Sequence, residues 1–375
     1  MSFKAALGSG SGDIRFLYSG ISVLLCLVFM IMAGCAAKES VPDRQPSQTD
    51  RQIEFYRQKI ASSDKHYPSY ALLAEVLLRR SRDTGDHSLI AEARRNAEAS
   101  LAIQPNYLAM KTMAMICNHT HRFADALSWA DKAAGASAEG LAFDTELTAI
   151  VVEAHLGLGD VEKAAAALEQ LQIVGKKGDD YYTASARGAV LKAQNKVDEA
   201  VKAFEAAREF AAKQGVNSGV VWANVMAAGC LLDSGRAAEA EPYLKLASAM
   251  DPKNTVLAIH QAEFLAAMER PKEALQVYNE LLKSGDDAEI HRRAFVIARD
   301  LGERDQADRH FKAAESGFLK VVDMGEIFTL GPLGQLYCDR GAEADKARQY
   351  AQQNWEFKRD AEAKATLACV EKMGG

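Results

Sequence analysis

The sequence predicts an all-α fold, a right-handed α-solenoid of about eight stacked helix pairs. Alanine contributes 66 of the 375 residues and aromatic residues only 7%, which favours close-packed helices over sheets of β-branched and aromatic side chains. One short phrase, a turn followed by an amphipathic run, recurs along most of the chain at spacings of 33 to 40 residues. Self-similarity at such a period is typical of stacked helical repeats.

The N-terminus has the pattern of a secretory signal. Basic Lys4 and Arg15 precede an apolar run at residues 21–33, which has the length of a signal-peptide hydrophobic region and is short for a bilayer-spanning helix. The run ends in a tetrapeptide that resembles the bacterial lipobox, with methionine where leucine is usual: Met32, Ala33, Gly34 and Cys35. This resemblance implies cleavage before Cys35 and a lipid on its thiol.

These features predict three segments. Residues 1–34 form a lipoprotein signal peptide, and residues 35–51, which are polar and contain proline, form the lipidated cysteine and a flexible tether. Residues 52–375 form the solenoid, with a leading and a closing helix that cover its ends. The resemblance implies a membrane-anchored domain facing the periplasm, at the outer membrane because alanine follows Cys35. The alternative is an uncleaved signal anchor in the inner membrane.

The repeated phrase aligns on one alanine in each of eight repeats. The residues four and seven positions later are mostly apolar or small, and together with the alanine they share one helix face, which predicts a buried stripe. Five residues earlier, Gly159, Asn195, Gly235 and Gly302 predict a left-handed turn between two helices. The aligned alanines are Ala93, Ala126, Ala164, Ala200, Ala240, Ala274, Ala307 and Ala347.

With small residues where paired helices meet, a glycine in the turn, and Pro105 and Pro252 at repeat boundaries, the chain resembles tetratricopeptide repeat proteins. The resemblance implies that the first helices of the pairs line a concave groove. In related arrays this groove binds proteins or peptides, so the resemblance implies such a function here.

Counting back 18, 15, 11, 8 and 7 residues from each aligned alanine gives the positions that the resemblance places in the groove. Aromatic and arginine side chains concentrate binding energy, so Tyr182 and Trp222 are the leading candidates for partner binding. The alternative for each is exposed helix surface or packing between repeats. The further candidates are Lys192, Asp233, Glu263, Arg292 and Arg299, and other polar residues at these positions include Lys111, Asn118, Glu146, Glu153 and Asp300.

No motif points to catalysis or to a bound cofactor. The sequence lacks a phosphate-binding loop after a strand and lacks GxSxG and HExxH patterns. Its scattered cysteines form no CxxC pair, and His119 and His121 are expected in a turn between paired helices. A net charge of −6 argues against a nucleic-acid partner. We therefore expect no enzymatic activity, cofactor or metal, and leave open a disulfide between Cys338 and Cys369.

The resulting hypothesis is a lipid-anchored scaffold or assembly factor of the bacterial envelope. It would bind other envelope proteins or peptides through the concave groove, for instance in a secretion, pilus or polysaccharide-export machine. The alternative is a solenoid that binds a small molecule or a cell-wall fragment and has no scaffold role. That alternative predicts a compact apolar pocket with a few convergent polar groups.

Overall fold

A computed structural model describes residues 47–84, 86, 88–136, 144–174 and 180–373. The predicted signal peptide and Cys35 lie outside these ranges. The chain falls into two units, Met1–Arg51 and Gln52–Gly375. Within the described ranges the secondary structure consists of helices without strands, and no helix there is both long and apolar enough to cross a bilayer.

Eight helix pairs follow one another along the chain, which confirms the predicted all-α array. Helix α1 (Gln48–Ser62) precedes them and α18 (Ala361–Met373) follows them. The pairs are α2 (Tyr67–Thr84) with α3 (Ser88–Ile103), α4 (Tyr107–His119) with α5 (Phe123–Ala136), α6 (Thr145–Gly157) with α7 (Val161–Val174), α8 (Tyr181–Ala193) with α9 (Val197–Lys213), α10 (Asn217–Asp233) with α11 (Ala237–Met250), α12 (Thr255–Ala267) with α13 (Pro271–Leu282), α14 (Ala288–Asp300) with α15 (Arg304–Asp323), and α16 (Leu330–Arg340) with α17 (Ala344–Phe357).

The way the pairs stack gives the array an inner and an outer side. The two helices of each pair pack closely, and the first helices of successive pairs also pack on each other at every step except from α12 to α14. Successive second helices contact each other less. Because the first helices lie closer together than the second helices, the stack curves, and the first helices line its concave side. We call the surface formed by the even-numbered helices α2 to α16 the inner face.

The aligned alanines fill the narrow space between paired helices. Seven of the eight are fully buried, and Ala307 is 6% exposed. The residue four positions later is buried in every repeat, whether it is small, as at Ala97, or large, as at Phe204 and Phe311. Helix axes 8–10 Å apart require small side chains at the point of closest approach. Where its side chains are described, the predicted stripe is therefore the core of the array, and Leu281 within it is only partly buried.

The turns between paired helices have the predicted left-handed backbone. Gly159 and Gly235 have φ of 76°, Gly302 has 77° and Asn195 has 60°. The next first helix then begins with a side-chain cap in most pairs, because an aspartate or asparagine accepts hydrogen bonds from backbone N–H groups in the first turn. These caps are Asn106 for α4, Asp144 for α6, Asp180 for α8, Asn254 for α12 and Asp287 for α14.

The C-terminal end of the array touches turns far away in the sequence. Arg359 donates its backbone N–H to the carbonyl of Gly157 at 2.7 Å. Arg122 Nη2 donates to the carbonyl of Gly325 at 3.1 Å, and the ring of Phe328 lies edge-on to His121 with centroids 6.5 Å apart. We call this contact the seam. Because repeats ordinarily contact only their neighbours, the seam closes the curve of the array on itself.

A disulfide joins α16 to the closing helix α18. Cys338 and Cys369, whose pairing the sequence leaves open, are bonded across 31 residues with Cα atoms 6.3 Å apart, a separation normal for a disulfide. Cys117 and Cys230 are free and buried, where a thiol packs as a small apolar side chain.

Candidate partner-binding face

Tyr182 and Trp222 stand at the same position of successive repeats and are both 38% exposed. One side of the Trp222 ring is fixed by edge contacts with Tyr181 and Phe204, each with centroids 6.0 Å apart. The Tyr182 hydroxyl donates to Glu146 Oε1 at 3.3 Å. Both aromatic side chains are therefore held by neighbours while part of each ring faces solvent, which is the arrangement of a preformed contact residue.

A polar cluster joins α4 to α6 on the inner face. Lys111 Nζ lies 2.7 Å from Glu146 Oε2 and 3.2 Å from Asp144 Oδ2, and Tyr107 donates its hydroxyl to Asp144. Burial opposes the charge of Lys111, but the two carboxylates outweigh it and raise the pKa of the ammonium group. Burial likewise opposes ionisation of Asp144, while Tyr107, the Leu147 N–H and Lys111 lower its pKa. The cluster is charged at neutral pH and anchored on both helices.

Two further polar contacts bridge neighbouring first helices. Asn118 Nδ2 donates to the Ile150 carbonyl at 2.8 Å and to Glu153 Oε2 at 3.2 Å, which joins α4 to α6. Lys192 Nζ lies 2.6 Å from Asp233 Oδ2 and joins α8 to α10. The structure thus brings together the predicted residues Lys192 and Asp233. Their side chains remain 44% and 66% exposed, so this pair adds little stability.

A denser cluster joins α12 to α14. Glu263 contacts His260 Nδ1 at 2.6 Å and also binds Arg293. Arg293 Nε lies 2.8 Å from Glu289 Oε1. Burial opposes ionisation of Glu263, but the hydrogen bond from His260 and the charge of Arg293 outweigh it, so the pKa of this carboxyl is lowered. These contacts link α12 and α14, the one step at which neighbouring first helices do not pack closely.

Arg292 continues the row from α14 to α16. Its guanidinium lies 2.7 Å from Glu289 Oε1 and 3.2 Å from Asp339 Oδ2, and its side chain is only 14% exposed. Burial disfavours the cation, yet the neighbouring carboxylates raise its pKa. Arg299 lies above the Phe295 ring, contacts Asp300 Oδ1 at 2.8 Å and donates to the Asp339 carbonyl. Arg292 is thus mainly a structural cation, whereas Arg299 is 39% exposed.

Several residues of this face were not among the sequence-based candidates. Glu289 and Asp339 lie 18 and 8 residues before Ala307 and Ala347, so the counting rule reaches them. His260 and Arg293 lie 14 residues before their aligned alanines, an offset outside the rule. Only three of the eight repeats carry a charge or a histidine at that offset, so the sequence gives little signal for it. The binding role of all these residues stays a prediction.

The charged side chains described above form ion pairs and hydrogen bonds with one another across the inner face. Among the described residues, no group of three or more histidine, cysteine, aspartate and glutamate side chains could hold a metal ion. The polar contacts described above involve five cationic and eight anionic side chains. Carboxylates therefore outnumber cations in these contacts.

Comparison with protein families identifies the repeats. Residues 231–293, which hold Ala240 and Ala274 with the turns before them, match the tetratricopeptide repeat model. Together with the helix pairs, this match confirms the predicted tetratricopeptide-like repeats. The lipobox at Cys35 stays a prediction. None of the curated proteins matches the chain significantly.

Solved structures with similar folds have little sequence identity to this chain. A Rap protein in complex with competence and sporulation factor is 13% identical, with a TM-score of 0.51 and coverage of 87% of this chain and 97% of that chain. A tetratricopeptide repeat protein from Parabacteroides merdae ATCC 43184 is 19% identical, with a TM-score of 0.45 and coverage of 65% and 93%. YrrB, described as having an unusual peptide-binding site, is 16% identical, with a TM-score of 0.31 and coverage of 55% and 96%.

Proposed function

We propose that the chain binds an extended segment of a partner protein along its inner face and performs no chemistry of its own. The proposal rests on one observation: two partly exposed aromatic side chains, Tyr182 and Trp222, are fixed on adjacent first helices. Rigid aromatic anchors are frequent hot spots of protein interfaces. The ion pairs on either side hold the first helices in place, so little conformational freedom is lost on binding.

The proposal extends to where the protein works. A lipid on Cys35 would hold the array at a bacterial envelope membrane, and the polar residues 36–47 ahead of α1 would serve as a tether that raises its local concentration there. The disulfide between Cys338 and Cys369 supports this location, since disulfides persist in oxidising compartments such as the periplasm. In this role the protein is a scaffold or assembly factor, for instance of a secretion, pilus or polysaccharide-export machine.

The Rap structure holds a bound factor on a similar fold. The proposal for this chain depends on its own side chains, because the two sequences share little identity. It predicts a ligand that spans several repeats. A small molecule or cell-wall fragment would instead be enclosed by a single compact pocket.

A pull-down from detergent-solubilised membranes of the native cell tests the binding role. We expect a defined set of envelope proteins to copurify with the wild type and to be lost with a Tyr182→Ala, Trp222→Ala double variant of unchanged helicity. A Leu246→Ala variant is the control, because Leu246 is an exposed apolar residue on second helix α11. Retention of the same proteins by the double variant would remove the inner face from the proposal.

The anchor is tested separately by palmitate labelling and membrane fractionation. We expect the wild type to incorporate label and to sediment with membranes, and the Cys35→Ala variant to incorporate no label. A labelled Cys35→Ala variant would contradict lipidation at this residue. A Cys26→Ala variant, which changes a cysteine inside the apolar run, controls for the loss of a thiol.

A further inference from the structure

One position of the repeat carries exposed apolar side chains in three successive repeats. Tyr182, Trp222 and Val256 each lie 18 residues before the aligned alanine, near the start of α8, α10 and α12. Their exposed fractions are 38%, 38% and 49%. At the same position of the flanking repeats stand Glu146 on α6 and Glu289 on α14. We call these three apolar residues the edge stripe.

The local packing holds the stripe open to solvent. Tyr181 lies against the first turn of α10, where a Cβ on Gly219 would stand 3.2 Å from its ring and 2.9 Å from the Ala211 Cβ. A side chain at position 219 would therefore displace Tyr181, whose ring supports Trp222. Tyr181 and Phe204 thus occupy one side of the Trp222 ring, and 38% of the residue stays exposed.

Both ends of the edge stripe carry an excess of carboxylates. At one end Asp144 and Glu146 share the single cation Lys111. At the other end three carboxylates, Glu263, Glu289 and Asp339, share the two cations Arg292 and Arg293. Asp286, which contacts His291 Nε2 at 2.8 Å, adds a carboxylate that is 89% exposed. A ligand that crosses the stripe therefore meets apolar surface in the middle and negative potential at each end.

We infer that the edge stripe binds an extended peptide that has apolar side chains at every third residue and a lysine or arginine beyond each end of that apolar series. Adjacent helices lie about 8–10 Å apart, and an extended chain in the polyproline II conformation rises about 3.1 Å per residue and returns its side chains to the same face at every third residue. Three residues of peptide thus span one repeat, and each repeat offers one contact of the stripe. The inference rests on the proposed function and specifies the partner chemistry.

The same observations argue against other ligands. Nucleic acid would bring phosphates against the carboxylates at both ends. An acidic peptide would meet the same repulsion. A basic segment gains from attraction to the carboxylates and from contact of its cations with the faces of the stripe's aromatic rings.

Three fluorescent 13-residue peptides test the inference. The matched peptide has lysine at both ends, leucine at every third position between them, and serine or threonine elsewhere. One control peptide replaces both lysines with glutamate, and the other keeps the composition but groups the leucines side by side. Fluorescence anisotropy at low and at physiological salt measures binding of each peptide to the full array. We expect the matched peptide to bind about tenfold more tightly than either control.

A matched pair of protein variants locates the binding site. Val256 and Leu246 are both 49% exposed, and Leu246 lies on second helix α11. We expect Val256→Lys to weaken the matched peptide about tenfold or more, and Leu246→Lys to leave its affinity within about twofold. Because both substitutions add a lysine at an exposed site, a difference between them does not arise from misfolding or from net charge.

The outcomes separate this inference from the proposed function. Equal binding of the three peptides, or equal affinity of the two lysine variants, overturns the inference. Tighter binding of the glutamate-ended peptide, if Val256→Lys alters it, leaves a peptide-binding inner face but reverses the charge of the partner. If no peptide binds while the pull-down still loses its proteins with the aromatic double variant, the inference falls and the proposed function stands. Failure of both experiments removes the two together.

Discussion

The residue in the turn between paired helices adopts a left-handed backbone whether or not it is glycine. Besides the glycines and Asn195, His121 and Glu269 occupy the same place with φ of 59° and 60°. A non-glycine residue pays about 1 kcal/mol or more for this conformation. The sequence predicts the turns that contain glycine or asparagine. It predicts a turn at His121 but not the left-handed backbone there or at Glu269, because only the pairing of the two helices imposes that strain.

Gly235 offers a test of this conformational cost. Its φ is 76° and nothing lies within 4 Å of an added Cβ, so Gly235→Ala introduces backbone strain without a clash. We expect it to destabilise the array by about 1 kcal/mol, measured as a lower urea midpoint. Gly285→Ala is the control, since this glycine also has open space around it and no left-handed backbone. Equal midpoints for the two variants would show that the turn tolerates a side chain.

At the scale of elements, the α14–α15 pair contains two histidines joined by a hydrogen bond between their rings. His310 is 7% exposed, and its Nδ1 lies 2.8 Å from the Nδ1 of His291, whose Nε2 contacts Asp286. Burial, with the nearby charges of His291 and Arg309, lowers the pKa of His310 to about 4. Folding therefore disfavours protonation of this ring, which stays neutral at neutral pH.

This pair makes the stability of the array depend on pH. An unfolded histidine binds a proton near pH 6.5, whereas folded His310 binds one only near pH 4. The contribution of neutral His310 to the free energy of unfolding is therefore complete above pH 6.5. This contribution is lost as the pH falls from 6.5 towards 4, at up to about 1.4 kcal/mol per pH unit. We expect His310→Gln to reduce the change of urea midpoint between pH 7 and pH 5, and the same substitution at exposed His66 to leave it unaltered. An unchanged slope in His310→Gln would exclude this histidine as a source.

The disulfide holds the closing helix against the last pair. In the chain-entropy description, a bond across 31 residues restricts the unfolded chain by about 3–4 kcal/mol. We expect reductant to increase amide hydrogen exchange in α18 far more than in α8. Cys369→Ser should show the fast exchange in both conditions, with no further response to reductant. Slow exchange in reduced wild-type protein would mean that packing alone secures α18.

At the scale of the whole repeat array, Gly159 and Gly235 form a natural pair for testing the seam. Both have φ of 76°, but a Cβ on Gly159 would stand 2.6 Å from the Arg359 carbonyl oxygen, whereas Gly235 has open space. We expect Gly159→Ala to destabilise the array more than Gly235→Ala and to speed hydrogen exchange at residues 357–362. Both variants strain the turn, but only Gly159→Ala also disturbs the seam. The difference in stability between them therefore measures the contribution of the seam. Matching exchange rates would show that the seam carries no energy.

Local pattern predicts the repeats, but it does not predict how the array closes. The period and the buried alanines define eight helix pairs, and counting from those alanines reaches Tyr182, Trp222 and Lys192. The contacts of His260 and Arg293 escaped this rule, since they depend on the angle between successive repeats. The seam joins residues about 200 positions apart, such as Arg122 and Gly325. It results from small rotations summed over several repeats, which no single stretch of sequence encodes.

The seam also changes how the array responds to force. An open stack of repeats lengthens like a spring, because each pair tilts slightly against the next. Here the Arg359–Gly157 and Arg122–Gly325 hydrogen bonds tie distant turns together, so the array stays stiff under a weak pull. Each such bond is worth only about 1 kcal/mol net, and moderate tension breaks them. Once the tension exceeds the strength of these hydrogen bonds, the array becomes extensible. The hydrogen bonds of the seam re-form when the tension is removed.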